Sequence, residues 1–112
     1  MKLAEILTGP ETWCQGSFAD EDDEHPQFFC LVGAVQELVA REHGGWAEML
    51  PVLSLTDIFA AAQRILADVT YELHGHENPM AFNDRRSTTW DDIAAIIQEF
   101  DRRRMLENGE TR

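Results

Sequence analysis

Three groups of residues in this chain have the types and spacing to do chemistry. The first centres on Cys30, near the head of the run FFCLVGAVQELVAREH from Phe28 to His43. A thiol near a helix start faces unpaired backbone N–H groups, which lower its pKa and favour the nucleophilic thiolate. With His74 or His76 as base, and Asn83 or Asp84 to orient it, Cys30 would complete the set that a cysteine-dependent hydrolase or transferase uses for acyl transfer. Phe29, Leu31 and Val32 oppose that reading. They surround the thiol with apolar side chains, which raise its pKa and suit a small buried hydrophobe. The second group is His74-x-His76-Glu77. Its spacing matches no established zinc pattern and no second ligand pair accompanies it, so neither metal nor cofactor is expected. A histidine at a helix C-terminus explains it equally well.

The third group is polar and acidic. Asp20, Glu21, Asp22, Asp23 and Glu24 are consecutive, without the alternating ligands or the glycine of an EF-hand loop. Like charges at that density make a solvated loop. Asn83-Asp84 has the side chains that bond their own backbone in turns, which would tie a loop to the helix that follows. The functional alternative places Trp13 and Gln15 opposite this pair as the second wall of a binding pocket. Adding His74 and His76 gives a small-ligand or metal-binding domain as a further alternative.

Composition narrows the partners. Nine Lys and Arg against 21 Asp and Glu give a net charge of −12. Such a surface repels nucleic acid and anionic membranes, and suits a cationic partner or competition with nucleic acid for a basic groove. The expected partner is a basic protein surface, for instance on a nucleic-acid-binding complex, and neither nucleic acid itself nor a membrane. Two cysteines, Cys14 and Cys30, are too few for a secreted disulfide framework and read as thiols. No apolar run is long enough to span a bilayer, and MKLAEILTGPETW lacks the apolar core of a signal peptide, which leads to a cytoplasmic expectation.

The elements that must position these residues read as helices. Apolar positions recur at helical spacing and no stretch alternates with period two, so the fold class expected is all-α. A small single-domain bundle over residues 1–106, with a frayed tail over 107–112, accounts for the length. Its central helix spans about 28–43, buried at its start and stopped by Gly44-Gly45. A second long helix spans about 56–74, with Ile58, Ala62, Ile65, Leu66, Val69 and Leu73 on one face. A C-terminal helix spans about 88–104, buries Trp90, Ile93, Ile97 and Phe100, and opens on a capping box, either Thr88 with Asp91 or Thr89 with Asp92. Met1 to Thr8 reads as a short helix, Trp46 to Leu53 as a helical turn and His76 to Arg86 as a loop. A hairpin between Trp13 and Phe29 is the one strand feature left open. Trp13, Trp46 and Trp90 read as core aromatics. Gly33 and Ala34 mark where the Trp13 segment or the Asn83 loop packs closely.

Taken in order, the motifs are Trp13-x-Gln15-Gly16, Cys30-x-x-Gly33-Ala34 and Phe82-Asn83-Asp84 before the last helix. This order resembles a family of small uncharacterised bacterial and phage proteins, with W-x-Q-G, then C-x-x-G-A opening a helix, then W-N-D. Here Phe82 stands in place of the usual Trp, and the loop before Cys30 is acidic without a glycine. The resemblance implies a shared fold and shared key positions, and brings no reaction with it. The function expected is therefore that of a non-enzymatic acidic binding or regulatory protein engaging a basic partner. One concrete form is a phage- or mobile-element-encoded inhibitor of nucleic-acid-handling machinery, such as an anti-CRISPR protein.

Overall fold

The structure is a computed structural model, and residues 1–16, 28–44 and 55–107 are described here. The acidic run Asp20 to Glu24, the segment Trp46 to Leu53 and residues 108–112 lie outside the described residues.

Helical periodicity in the sequence becomes four α-helices among the described residues: α1 (Leu31–Glu42), α2 (Leu55–His74), α3 (Pro79–Asp84) and α4 (Trp90–Glu107). Two 3-10 turns, Leu3–Glu5 and Pro10–Thr12, precede them. No described helix is long and apolar enough to cross a membrane. The fold class is all-α, as the sequence predicts.

α1 is the central element. It packs against α2, α3 and the first 3-10 turn, and it buries Leu31, Ala34, Val35, Leu38, Val39 and Ala40. It starts at Leu31, three residues later than the apolar run predicts. Phe29 explains the delay. Its backbone N–H donates to the Thr12 carbonyl (2.8 Å) and its carbonyl accepts from Cys14 N–H (3.0 Å), so it is committed to a neighbouring segment before a helix can form. Phe28 is left 43% exposed. Cys30 keeps extended backbone angles as the N-cap. The helix ends at His43, followed by Gly44 in the left-handed region at φ 89°.

α2 spans the bundle between α1 and α4. Ala62, Leu66 and Val69 face inward as expected, but Leu73 is 46% exposed. The inward stripe shifts at the last turns to Thr70, which is buried with its hydroxyl donating to the Leu66 carbonyl (2.8 Å), and then to half-buried His74. A hydroxyl that satisfies itself on its own helix can occupy a core position at little cost.

The segment predicted as a loop from His76 to Arg86 contains α3. Asn78 caps it, its Oδ1 accepting from the N–H groups of Met80 (3.0 Å) and Ala81 (3.1 Å), and Pro79 occupies the first helical position. Asn-Pro is a helix-start signal because the proline lacks only an N–H that would go unpaired there. At the head of α4 the reciprocal cap is Thr89 with Asp92: Thr89 N–H donates to Asp92 Oδ2 (2.9 Å) and Asp92 N–H to Thr89 Oγ1 (3.3 Å). Thr88 is buried instead, its hydroxyl donating to the Phe82 carbonyl (2.6 Å).

α4 runs to Glu107, beyond the predicted end near Arg104 and into the first residue of the predicted tail. Its arginines do more than face the helix dipole. Arg102 and Arg103 both bond Glu99, Arg103 also pairs with Glu72 of α2, and Arg104 reaches Glu42 of α1 at 2.8 Å. The N-terminal segment closes the bundle from outside, with Leu3, Ile6 and Leu7 buried against the core. It is a 3-10 turn and not the helix expected.

The Arg102 and Arg103 guanidinium groups pull the Glu99 carboxyl down from 4.5 to about 2. A folded-state pKa below the unfolded value means that this ionised carboxylate stabilises the fold above about pH 4.5 and loses that effect as pH falls towards about 2. The exposed setting screens the interaction and keeps it small. Glu99→Gln is expected to lower the neutral-pH midpoint slightly, with the gap to the parent closing as pH falls towards about 2, read by circular dichroism across a pH series.

Candidate functional site

Trp13, Gln15 and Asp84, among the residues that the sequence singles out, converge on Asn83. Asn83, near the end of α3, is 0% exposed. Its Oδ1 accepts from Trp13 Nε1 (2.7 Å) and from the backbone N–H of Leu31 (3.0 Å). Its Nδ2 donates to the Cys14 carbonyl (3.0 Å) and to Asp84 Oδ1 (2.9 Å). A carboxamide has two donor hydrogens and two acceptor lone pairs, and here all four are used. A second layer surrounds it. Gln15 Nε2 donates to the carbonyls of Asn83 (2.8 Å) and Arg85 (3.0 Å), and Gly16 N–H donates to Asp84 Oδ1 (2.9 Å). Gly16 holds φ 86°, which a residue with a Cβ would resist.

The arrangement has a simple origin. Trp13 and Phe29 form an isolated parallel bridge, not a hairpin. In a parallel ladder, the rung after the Cys14 N–H to Phe29 carbonyl bond would run from Leu31 N–H to the Cys14 carbonyl. The Asn83 carboxamide occupies that rung, taking the Cys14 carbonyl with its amine and the Leu31 N–H with its oxygen. It acts as an inserted peptide group and joins the N-terminal segment, the start of α1 and the end of α3. Trp13, Gln15, Asn83 and Asp84 are thus brought together, as the pocket alternative places them, but their polar atoms bond one another and the backbone. The Asn83 loop that was to pack near Gly33 and Ala34 is this helical turn, and it meets α1 at Leu31.

Cys30 lies beside this junction and is 2% exposed. Its sulfur accepts the Gly33 N–H (3.3 Å), capping α1. Burial pushes the thiol pKa up, and the opposing hydrogen bond from Gly33 does not cancel it. The thiol is therefore protonated at neutral pH, the reverse of an activated nucleophile. The histidines proposed as its base are engaged elsewhere. The His74 ring stacks on Phe82 with centroids 4.5 Å apart, and His76 tilts against the same ring at 5.9 Å. The Asn83 carboxamide has no capacity left to orient either imidazole. Among the described residues no three His, Cys, Asp or Glu side chains group as metal ligands would. Trp13 and Trp90 are half-buried and pack on each other at 6.3 Å, while Trp46 falls outside the described residues.

A match to the family of unknown function DUF6197 covers residues 2–102. The chain belongs to this family. No curated protein and no solved structure matches it significantly. The DUF6197 match takes in every residue of the Asn83 junction and all four described helices apart from the last residues of α4.

One surface of this DUF6197 chain was not foreseen from the sequence. On the outer side of α2, Ala67, Asp68, Tyr71 and Glu72 line an open cleft of about 470 Å³, closed by Glu77 and by Arg103 of α4. Tyr71 is 55% exposed there. Glu72 is engaged by Arg103, while Asp68 and Glu77 are exposed. The spacing Asp68, Tyr71, Glu72 places all three on one helical face, a pattern that reads from sequence only as an ordinary solvated side.

Proposed function

We propose that this chain is a non-enzymatic binding protein whose acidic surface engages a basic protein surface. The observation that carries the reading is the α2 cleft, where an exposed aromatic ring stands among carboxylates. That combination suits a lysine or arginine side chain. The phenol face attracts a cation, and the carboxylates accept charge-assisted hydrogen bonds. The net charge of −12 extends the same preference over longer range by steering a cationic partner inward. Of the side chains with catalytic potential, Cys30 caps α1, His74 and His76 pack on Phe82, and Asp84 bonds Asn83. In its narrower form the proposal is a phage- or mobile-element-encoded inhibitor that competes with nucleic acid for a basic groove.

Co-precipitation from bacterial lysate at low salt, and again at about 1 M salt where the screening length falls to about 3 Å, tests the proposal. A basic protein held at low salt is expected to be released at high salt. It is also expected to be lost when Asp68→Asn, Tyr71→Ala and Glu77→Gln are combined, with the fold unchanged by circular dichroism. Retention of no basic protein at low salt, or retention indifferent to the triple change, would overturn the reading.

A further inference from the structure

The two thiols lie away from the α2 cleft, and their placement points elsewhere. The parallel bridge sets Trp13 beside Phe29 with both segments running in the same direction. The next residue along each segment is a cysteine, so Cys14 and Cys30 stand side by side. The Asn83 carboxamide supports the same pairing independently. It bonds the carbonyl of Cys14 with one end and the N–H that follows Cys30 with the other. Neighbouring strands stand about 4.8 Å apart, within the Cα separation of about 4.4–6.8 Å that a disulfide bridges. Both cysteines are thiols here, Cys14 half-buried and Cys30 buried. Charge on Cys14 disfavours a thiolate at Cys30.

We propose that Cys14 and Cys30 form a redox pair, closing an intramolecular disulfide when the folded chain meets hydrogen peroxide. Cys14, the less buried of the two residues, reacts first. Its thiolate attacks the peroxide, the O–O bond breaks, hydroxide leaves and takes up a proton, and a sulfenic acid remains. Cys30 then gives up its proton and attacks the Cys14 sulfur. The S–S bond forms, the S–O bond breaks and water leaves. In sum, two thiols and one peroxide give one disulfide and two waters, the sulfurs losing the two electrons that the peroxide gains. The bond closes a loop with 15 residues between the cysteines, and that loop carries the acidic run Asp20 to Glu24.

The test uses the full chain, treated with hydrogen peroxide under native conditions, freed of peroxide, then unfolded in the presence of excess alkylating agent and weighed intact. Expected are a mass lower by about 2 Da, no alkylation at either cysteine and a peptide joining Cys14 to Cys30, all reversed by dithiothreitol. Cys30→Ser, in which a hydroxyl can retain the helix cap, is expected to stop at a Cys14 sulfenic acid that dimedone traps. Should that variant not fold, Cys14→Ser replaces it and is expected to show no loss of about 2 Da. Alkylation of both cysteines after peroxide, over-oxidation of Cys14 with Cys30 untouched, a disulfide formed only after urea unfolding, or a disulfide between two chains would each overturn the proposal.

Discussion

Asn83→Leu is expected to lower the thermal midpoint by about 15 °C, the largest effect of any polar substitution at the junction. Leucine fills most of the volume of asparagine but offers no hydrogen bond. The Leu31 N–H at the start of α1, the Cys14 carbonyl and the Trp13 indole N–H all lose their partner together. A buried group left unpaired costs about 1–3 kcal/mol. Trp13 is only half-buried and can turn to water, so its share is small. Together these losses come to about 4 kcal/mol, and each kcal/mol is worth about 4 °C or more in a domain of this size. Asn83→Asp should fall between the two. The carboxylate still accepts from Trp13 and Leu31 but cannot donate to Cys14, and it sets a second charge against Asp84. Scanning calorimetry on the three proteins decides the matter. A leucine variant melting within about 4 °C of the parent would show that the carboxamide does not hold the junction together.

Asp101→Ala is the second large expectation, at about 2–3 kcal/mol. Asp101 is buried on α4 and accepts from the backbone N–H groups of Leu3 (2.7 Å) and Ala4 (3.1 Å). It fixes the first 3-10 turn, which in turn places Leu3, Ile6 and Leu7 on the core. Alanine leaves both amides unsatisfied and loosens that apolar cover. Burial raises the Asp101 pKa above 3.8, and the two amide bonds only partly oppose the shift. A carboxyl whose folded pKa is raised adds stability that is complete below the unfolded value and is lost as pH rises through the folded one. The difference between parent and variant should therefore widen as pH falls through the raised pKa towards 3.8. Denaturant melts at neutral and mildly acidic pH, with amide exchange at Leu3 and Ala4, test both parts. A gap that narrows in acid would contradict the assignment.

The helices were legible because their evidence is local. The apolar spacing of Ala62, Leu66 and Val69 needs no partner to be recognised, nor does the Thr89 and Asp92 cap. The apolar neighbours of Cys30 likewise announced a buried thiol. α3 was missed although Asn78-Pro79 carries a start signal, since six helical residues among polar neighbours show too little periodicity to stand out. Leu73 was misplaced because a strict apolar stripe cannot foresee that Thr70 satisfies its own hydroxyl and takes the inward position. The role of Asn83 was least legible. Its partners Trp13, Cys14 and Leu31 lie 70, 69 and 52 residues away in sequence. Turn chemistry in Asn83-Asp84 suggested a structural task, but only the fold shows that the task is to complete a parallel ladder.

The bond between Leu3 and Asp101 also fixes when this protein can fold. Its partners are separated by 98 residues. On a ribosome, the first turn emerges long before the carboxylate that holds it has been translated. Leu3, Ile6 and Leu7 must wait, exposed, until α4 has left the exit tunnel, and the Trp13 indole must likewise wait for Asn83. Contacts between distant parts of a sequence form late because the closure of a long loop must come first. The final structure therefore waits for Asp101, and a nascent chain stalled before it would present an apolar N-terminal segment for chaperones to cover.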